Sequence, residues 1–182
     1  LEAAGIASVF SGGNSGPSNT SVNAPQRINT TIVNTFSVGS INGNNDNFPI
    51  SSFSTRGPLQ CPASDSSLII HPEVVAPGQN VRSSVGLNSY ESKSGTSMAA
   101  PSAAGVAALV RSYYPQLSAS QVKHILMNSG VKINFEVIKP GSQSRENPTG
   151  DKVLFSDLSV SGRIVNAYNA LKMADQIVNG KK

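Results

Sequence analysis

The sequence predicts an α/β layered fold. Three observations point there: short strand candidates rich in apolar and β-branched residues fill the first half, Gly and Pro separate them, and from Thr96 the pattern turns to helices rich in small residues. The chain has 182 residues, 38% hydrophobic and 13% charged, enough for one globular domain with a sizeable core and unlike a disordered segment. No apolar run approaches the twenty or so residues of a membrane helix, and no basic, then apolar, leader is visible. A precursor leader, if there was one, is expected to have been cut or left out. A lone cysteine, Cys61, excludes an internal disulfide. The net charge of +4 is scattered apart from Lys181 and Lys182, which reads as a solvated surface, so neither nucleic acid nor membrane is expected as a partner.

The elements follow in order. Leu1 to Ala4 are good helix formers stopped by Gly5, and so resemble the end of a helix whose earlier part lies outside this sequence. Ile6 to Phe10 reads as a buried strand running into the Ser11–Pro17 loop. Thr31 to Val38 reads as a second strand closing at Gly39, with Ile50–Phe53, Leu68–Ile70 and Val81–Val85 as further short ones. The alanine-rich run from Ser97 is expected to be a helix buried on all sides, with Pro101 in its first turn. Ser118 to Gln121 has the spacing of a capping box ahead of Val122, Ile125 and Leu126. A last helix follows Gly162, with Asn166 as cap and Ala170, Leu171, Ala174 and Ile177 facing inward. Between them, Val131 to Leu158 is irregular, with a hairpin expected at Pro140-Gly141 or Pro148-Thr149-Gly150.

Chemistry concentrates at Gly95-Thr96-Ser97-Met98-Ala99-Ala100-Pro101. A serine at a helix start has an unpaired backbone N–H and the positive end of the helix dipole beside it. Those features suit a nucleophile whose attack creates an oxyanion. On spacing alone, a serine that merely caps its helix is the commoner case.

The run from Gly95 to Pro101, continued by Ala104-Gly105-Val106-Ala107-Ala108-Leu109, closely resembles the nucleophile signature of the subtilase family of serine peptidases. Four more blocks stand in that family's order: Ser11–Gly16, Ser52–Pro58, Pro72–Gly78 and Gly162–Ala167. The resemblance implies a partial subtilisin-like three-layer fold, a mostly parallel sheet flanked by helices. It implies a serine endopeptidase mechanism with Ser97 as the acylated nucleophile. Asn14 and the Ser97 backbone would donate to the tetrahedral intermediate. Ser11, Gly12 and Gly13 would wall the pocket for the residue before the scissile bond, with Gly95 and Thr96 also at the substrate. The family's location is mostly secreted.

The family also needs an aspartate and a histidine ahead of the oxyanion asparagine, and nothing before Asn14 supplies either. His71 precedes the Pro72–Gly78 segment, and His124 is expected on an exposed helix face beside Lys123. Both read as ordinary surface or structural histidines. Glu73 stands where the family usually has aspartate, and Ser102 where it often has histidine. Residues 1–182 are therefore expected to be the C-terminal portion of a single subtilase catalytic domain, near-silent alone, since removing the base costs roughly 10⁶ in turnover in this family. Such a chain is expected to self-associate or to bind the N-terminal half. The alternative is a non-catalytic binding or assembly module, although intact Ser97 and Asn14 argue against it. No cofactor is required by this chemistry. The oxygen-rich loop Asn42–Asn47 could suit calcium, although a solvated turn is the simpler reading.

Overall fold

Every residue of Phe36–Ile41 is buried, and this segment forms an inner strand of the sheet. The computed structural model describes residues 1–18, 35–57 and 70–180. In it, β1 (Val9–Ser11), β2 (Phe36–Ile41) and β3 (Val74–Pro77) run parallel, registered Val9 on Phe36 and Val38 on Val74. Beyond β3 lies β9 (Arg163–Ile164), parallel to it, and then β6 (Val131–Lys132), antiparallel, completing five strands in the order β1-β2-β3-β9-β6. Strands covered on both faces need no polar alternation, which is why β2 and the first three residues of β3 are continuously buried.

One face of the sheet carries the helices α1 (Thr96–Tyr113), α2 (Ala119–Ser129) and α3 (Ala167–Asn179). Phe36, Val38, Val74 and Ala76 pack there against Ala99, Ala103 and Ala107 of α1, with Val122, Ile125 and Leu126 of α2 and Ala170 and Ala174 of α3 in the same cluster. Small residues let α1 lie close under the strands. The alternate side chains, Ile41 and Val75, meet Ile133 and Phe155 on the other face. That layer holds a 3-10 turn (Phe155–Leu158) and the hairpin of β7 (Glu136–Ile138) and β8 (Lys152–Leu154). The expected mostly parallel sheet flanked by helices is thus what forms. A separate hairpin, β4 (Val81–Val85) with β5 (Ser89–Lys93), stands between β3 and α1.

Several expectations hold. Glu2–Ala4 make one helical turn ended by Gly5 at φ 79°, and Gly5 accepts from Arg111 Nη1. Ser118 and Gln121 form the reciprocal capping box, and the Asn166 side chain caps α3 through the Asn169 N–H. The β7–β8 hairpin is closed by one long loop that contains both predicted turn sequences.

Others are corrected. The second strand runs through Gly39 to Ile41, because Gly39 sits under Pro72 and Val75 where a side chain would collide; the 31–34 part of that prediction lies outside the described residues. Ile50–Phe53 is a turn touching β2 by a single bridge, Ile41 to Ile50. Ile70 is not in a strand, and Leu68 and Ile69 lie outside the described residues. Pro101 falls in the second turn of α1, so the Ser97 carbonyl has no N–H to receive from position 101. Ile177 is 52% exposed, while Lys123, expected beside the solvent face, is 5% exposed and pairs with Glu2 at 2.7 Å. Helix α1 is not buried all round: Ser102, Gly105, Ala108, Leu109, Ser112 and Tyr113 form an exposed stripe.

Truncating Ile125 to Ala should therefore destabilise the chain by about 2–5 kcal/mol through lost burial and a residual cavity. Ser118→Ala should cost about 1 kcal/mol, and Ile177→Ala should fall within about 0.5 kcal/mol of wild type. Urea midpoints at constant m-value rank the three. A loss at Ile177 matching that at Ile125 would contradict this packing.

Candidate active site

Helix α1 starts at a residue that cannot cap it. Gly95, the N-cap, has no side chain to accept from the first-turn amides. The missing acceptor comes from 82 residues earlier in the chain: Asn14 Oδ1 accepts from the Thr96 N–H at 2.8 Å and from the Thr96 hydroxyl at 3.0 Å. The same hydroxyl accepts from the Gly13 N–H at 3.0 Å. Thr96 is fully buried and works as a relay between the Gly13–Asn14 loop and the helix.

These bonds orient the Asn14 amide. A backbone N–H only donates, so the atom facing it must be oxygen, and the NH₂ group points the other way. It lies beside Gly95, where an added Cβ would sit 3.3 Å from Asn14 Nδ2. The next amide along the helix is that of Ser97. It has no acceptor among the described residues, nor has the Ser97 hydroxyl a partner there, and Ser97 is exposed. Two donors thus stand free beside one hydroxyl, at the positive end of an 18-residue helix.

The supporting loop is stitched from below. Ser11 ends β1 and the Gly12 N–H donates to Val38 at 2.9 Å, with Gly12 buried against that carbonyl. Gly13 accepts from the Thr55 N–H, Ser15 donates to the Thr55 hydroxyl, and Gly16 donates to Phe53. A Cβ on Gly16 would lie 2.1 Å from the Ser54 carbonyl oxygen, so the loop and the 51–57 turn meet backbone on backbone. Arg56 holds that turn, donating to the carbonyls of Ser54 and Ile138, and burial lowers its pKa below the ordinary guanidinium range. Gly78 packs under Gly95 and accepts from its N–H at 2.8 Å.

The histidines lie elsewhere. His71 is 1% exposed, its Nδ1 within 3.1–3.2 Å of the two Glu73 oxygens. Glu73 Oε2 also accepts from the Ser37 N–H and hydroxyl. Ser37, His71 and Glu73 have the composition of a triad but not its arrangement. All three polar contacts fall on Nδ1, Nε2 has no partner among the described residues, and all three side chains are buried. It ties β2 to the segment before β3. His124 is exposed on α2, its Nδ1 2.9 Å from the Ser120 carbonyl oxygen. In the Asn42–Asn47 loop, the Asn42 and Asn45 side-chain oxygens accept from the loop's own amides of Asn44 and Asn47. Thr96's role as a relay was not read from the sequence, although a glycine N-cap followed by threonine is the signal that could have pointed to it.

Known proteins resemble this chain in sequence. Residues 1–158 match the family model described as the subtilase family. Subtilisin DY of Bacillus licheniformis is 37% identical over 133 residues, covering 72% of this chain and 42% of that protein. Serine protease AprX of Bacillus subtilis is 34% identical over 165 residues, 79% of this chain and 35% of its own length. The minor extracellular protease Vpr of Bacillus subtilis is 34% identical over 90 residues, 46% of this chain and 10% of its own. The chain therefore spans less than half the length of each of these relatives. With 158 of 182 residues inside the family match, and a serine and an oriented asparagine amide meeting at a helix start, this chain belongs to the subtilase family.

Proposed function

We propose that the chain carries the nucleophile and oxyanion site of a serine endopeptidase. The observation that carries this reading is the Asn14 amide, held by its oxygen on Thr96 so that its NH₂ stands free beside Gly95 and Ser97. In the reaction, Ser97 Oγ attacks the carbonyl of a peptide bond and its proton passes to a base. The tetrahedral oxyanion accepts from Asn14 Nδ2 and the Ser97 N–H. Collapse then expels the amine, which takes up the proton, and water hydrolyses the acyl-enzyme by the same route in reverse. Ser11, Gly12 and Gly13 wall the pocket for the residue before the scissile bond. The donors are preorganised by hydrogen bonds that exist before substrate arrives, and no metal or cofactor enters the chemistry.

The base is the missing part. The sequence has two histidines, and both are engaged away from Ser97. We propose that the aspartate and histidine come from an N-terminal half of the same catalytic domain, seated against β1 and α1. Two features support this. Among the described residues β1 pairs with β2 alone in the sheet, and α1 turns a stripe from Ser102 to Tyr113 outward on the helix that carries Ser97. Without that half, the chain is near-silent and covers these surfaces by self-association. An extracytoplasmic location is part of the proposal, resting on the family and on a relative named as extracellular. Among the described residues no helix is long and apolar enough to cross a membrane.

Two experiments test the reading. Intact mass after treatment with a serine-directed fluorophosphonate should show no adduct on the isolated chain. The full-length protein should carry one adduct, absent in Ser97→Ala. An adduct surviving in that variant would place the nucleophile elsewhere. In the full-length protein, Asn14→Asp keeps the acceptor that caps α1 and loses the donor. It should leave the melting temperature within about 2 °C and lower kcat by about 10²–10³, the size known for loss of such a donor in a subtilisin. Asn14→Ala should lose both activity and about 1 kcal/mol of stability. Equal activity in Asn14→Asp and wild type would remove Asn14 from the oxyanion site.

A further inference from the structure

The hairpin β4–β5 has no part in the site so far described. Its strands pair with each other over Val81–Lys93, Ser83–Glu91 and Val85–Ser89, and with no other strand among the described residues. All of β5 is exposed and so is the middle of β4. With five paired positions at about 3.3 Å each, the tip stands roughly 17 Å from the base. At that tip Gly86 and Asn88 adopt positive φ on either side of Leu87, which is 97% exposed, and Tyr90 on β5 is 65% exposed. The charges on the hairpin are few: Glu91 and Lys93, 3.8 Å apart and largely in water, and Arg82.

The base, by contrast, is clipped. The Asn80 N–H donates to the Ser94 hydroxyl, which donates back to Asn80 Oδ1, and Asn44 holds the Gln79 carbonyl. One residue past Ser94, Gly95 bonds Gly78, and Ser97 follows. The hairpin is thus a rigidly rooted ribbon with free edges, joined to the nucleophile by three residues. A free β edge recognises an extended chain through backbone hydrogen bonds, whatever its sequence, and an exposed Leu and Tyr add apolar contact.

We propose that β4–β5 is a second contact for the polypeptide substrate, taking an extended, unfolded segment outside the scissile pocket by strand addition, with Leu87 and Tyr90 as its apolar contacts. Continuity with Ser97 is the reason to place a substrate there and not an unrelated partner. The inference rests on the hydrolase reading above. It makes the enzyme prefer long unfolded chains to short ones, because only a chain with several residues beyond the pocket reaches the arm.

The test uses the full-length protein with two substrates: denatured casein, and a tetrapeptide p-nitroanilide too short to reach the hairpin. Leu87→Ser combined with Tyr90→Ser should lower the ratio of kcat/KM for casein to that for the nitroanilide about tenfold, the size expected for losing the burial of roughly one apolar side chain. Both residues are exposed, so the melting curve should not move. An unchanged ratio would overturn the proposal, as would an equal fall for both substrates, which would make the hairpin a prop for Gly95 and Ser97. Wild-type protein that cleaves neither substrate and leaves Ser97 unlabelled would overturn the hydrolase reading, and this inference with it.

Discussion

Strand β3 and helix α1 meet end to end through two glycines. A Cβ on Gly78 would sit 2.5 Å from Ser40 Oγ, 2.7 Å from the Gly95 carbonyl oxygen and 3.0 Å from the Ala99 side chain. None of these can give way cheaply, since one is backbone and the others belong to the buried sheet and helix. With no side chain on Gly78, the Gly95 N–H reaches the Gly78 carbonyl. The residues between them, 79–94, are then forced out of the body as a hairpin. The start of α1 is fixed against the end of β3, and Ser97 is carried to the surface. An alanine at Gly78 would press on all three parts at once.

The same close approach explains how an asparagine of the loop after β1 can serve the helix and, in the proposed reaction, the chemistry as well. A glycine N-cap leaves the first amide of α1 without a side-chain acceptor of its own, a deficit of about a few tenths of a kcal/mol. Asn14 fills it with its oxygen. Because an amide has two ends, satisfying the helix with one fixes the direction of the other. Preorganisation of the NH₂ group is therefore a by-product of stability, and the Thr96 hydroxyl, shared with Gly13, adds to it. Polar groups fixed in this way need no reorganisation when charge develops near them.

The exposure of α1 is the other organising fact. In a helix of small residues, burial depends on what surrounds it, not on the residues themselves. Ala99, Ala103 and Ala107 are buried under the sheet, and Ala108, one position further round, is exposed. The composition is the same on both sides. The inner face has a partner in β1, β2 and β3, while the outer face, running from Ser102 to Tyr113, has none among the described residues.

Local chemistry was legible in the sequence wherever it depends on neighbours a few residues apart. The capping box of Ser118 and Gln121, the Asn166 cap, the stop at Gly5, the core positions Val122, Ile125 and Leu126, and the serine at a helix start are all set by spacings within one or two helical turns. Ile177 is exposed against expectation because helical spacing gives a direction but not how far the neighbouring layer extends. The burial of Lys123 is not legible locally because its partner, Glu2, lies 121 residues away. Strand limits failed for the same reason: β3 exists through pairing with distant strands, and Ile50–Phe53 has the composition of a strand without a ladder to join. The orientation of Asn14 and the rooting of the hairpin on Asn80 and Ser94 were decided by tertiary structure alone. Each is a hydrogen bond whose donor and acceptor are brought together only when the sheet and α1 have packed.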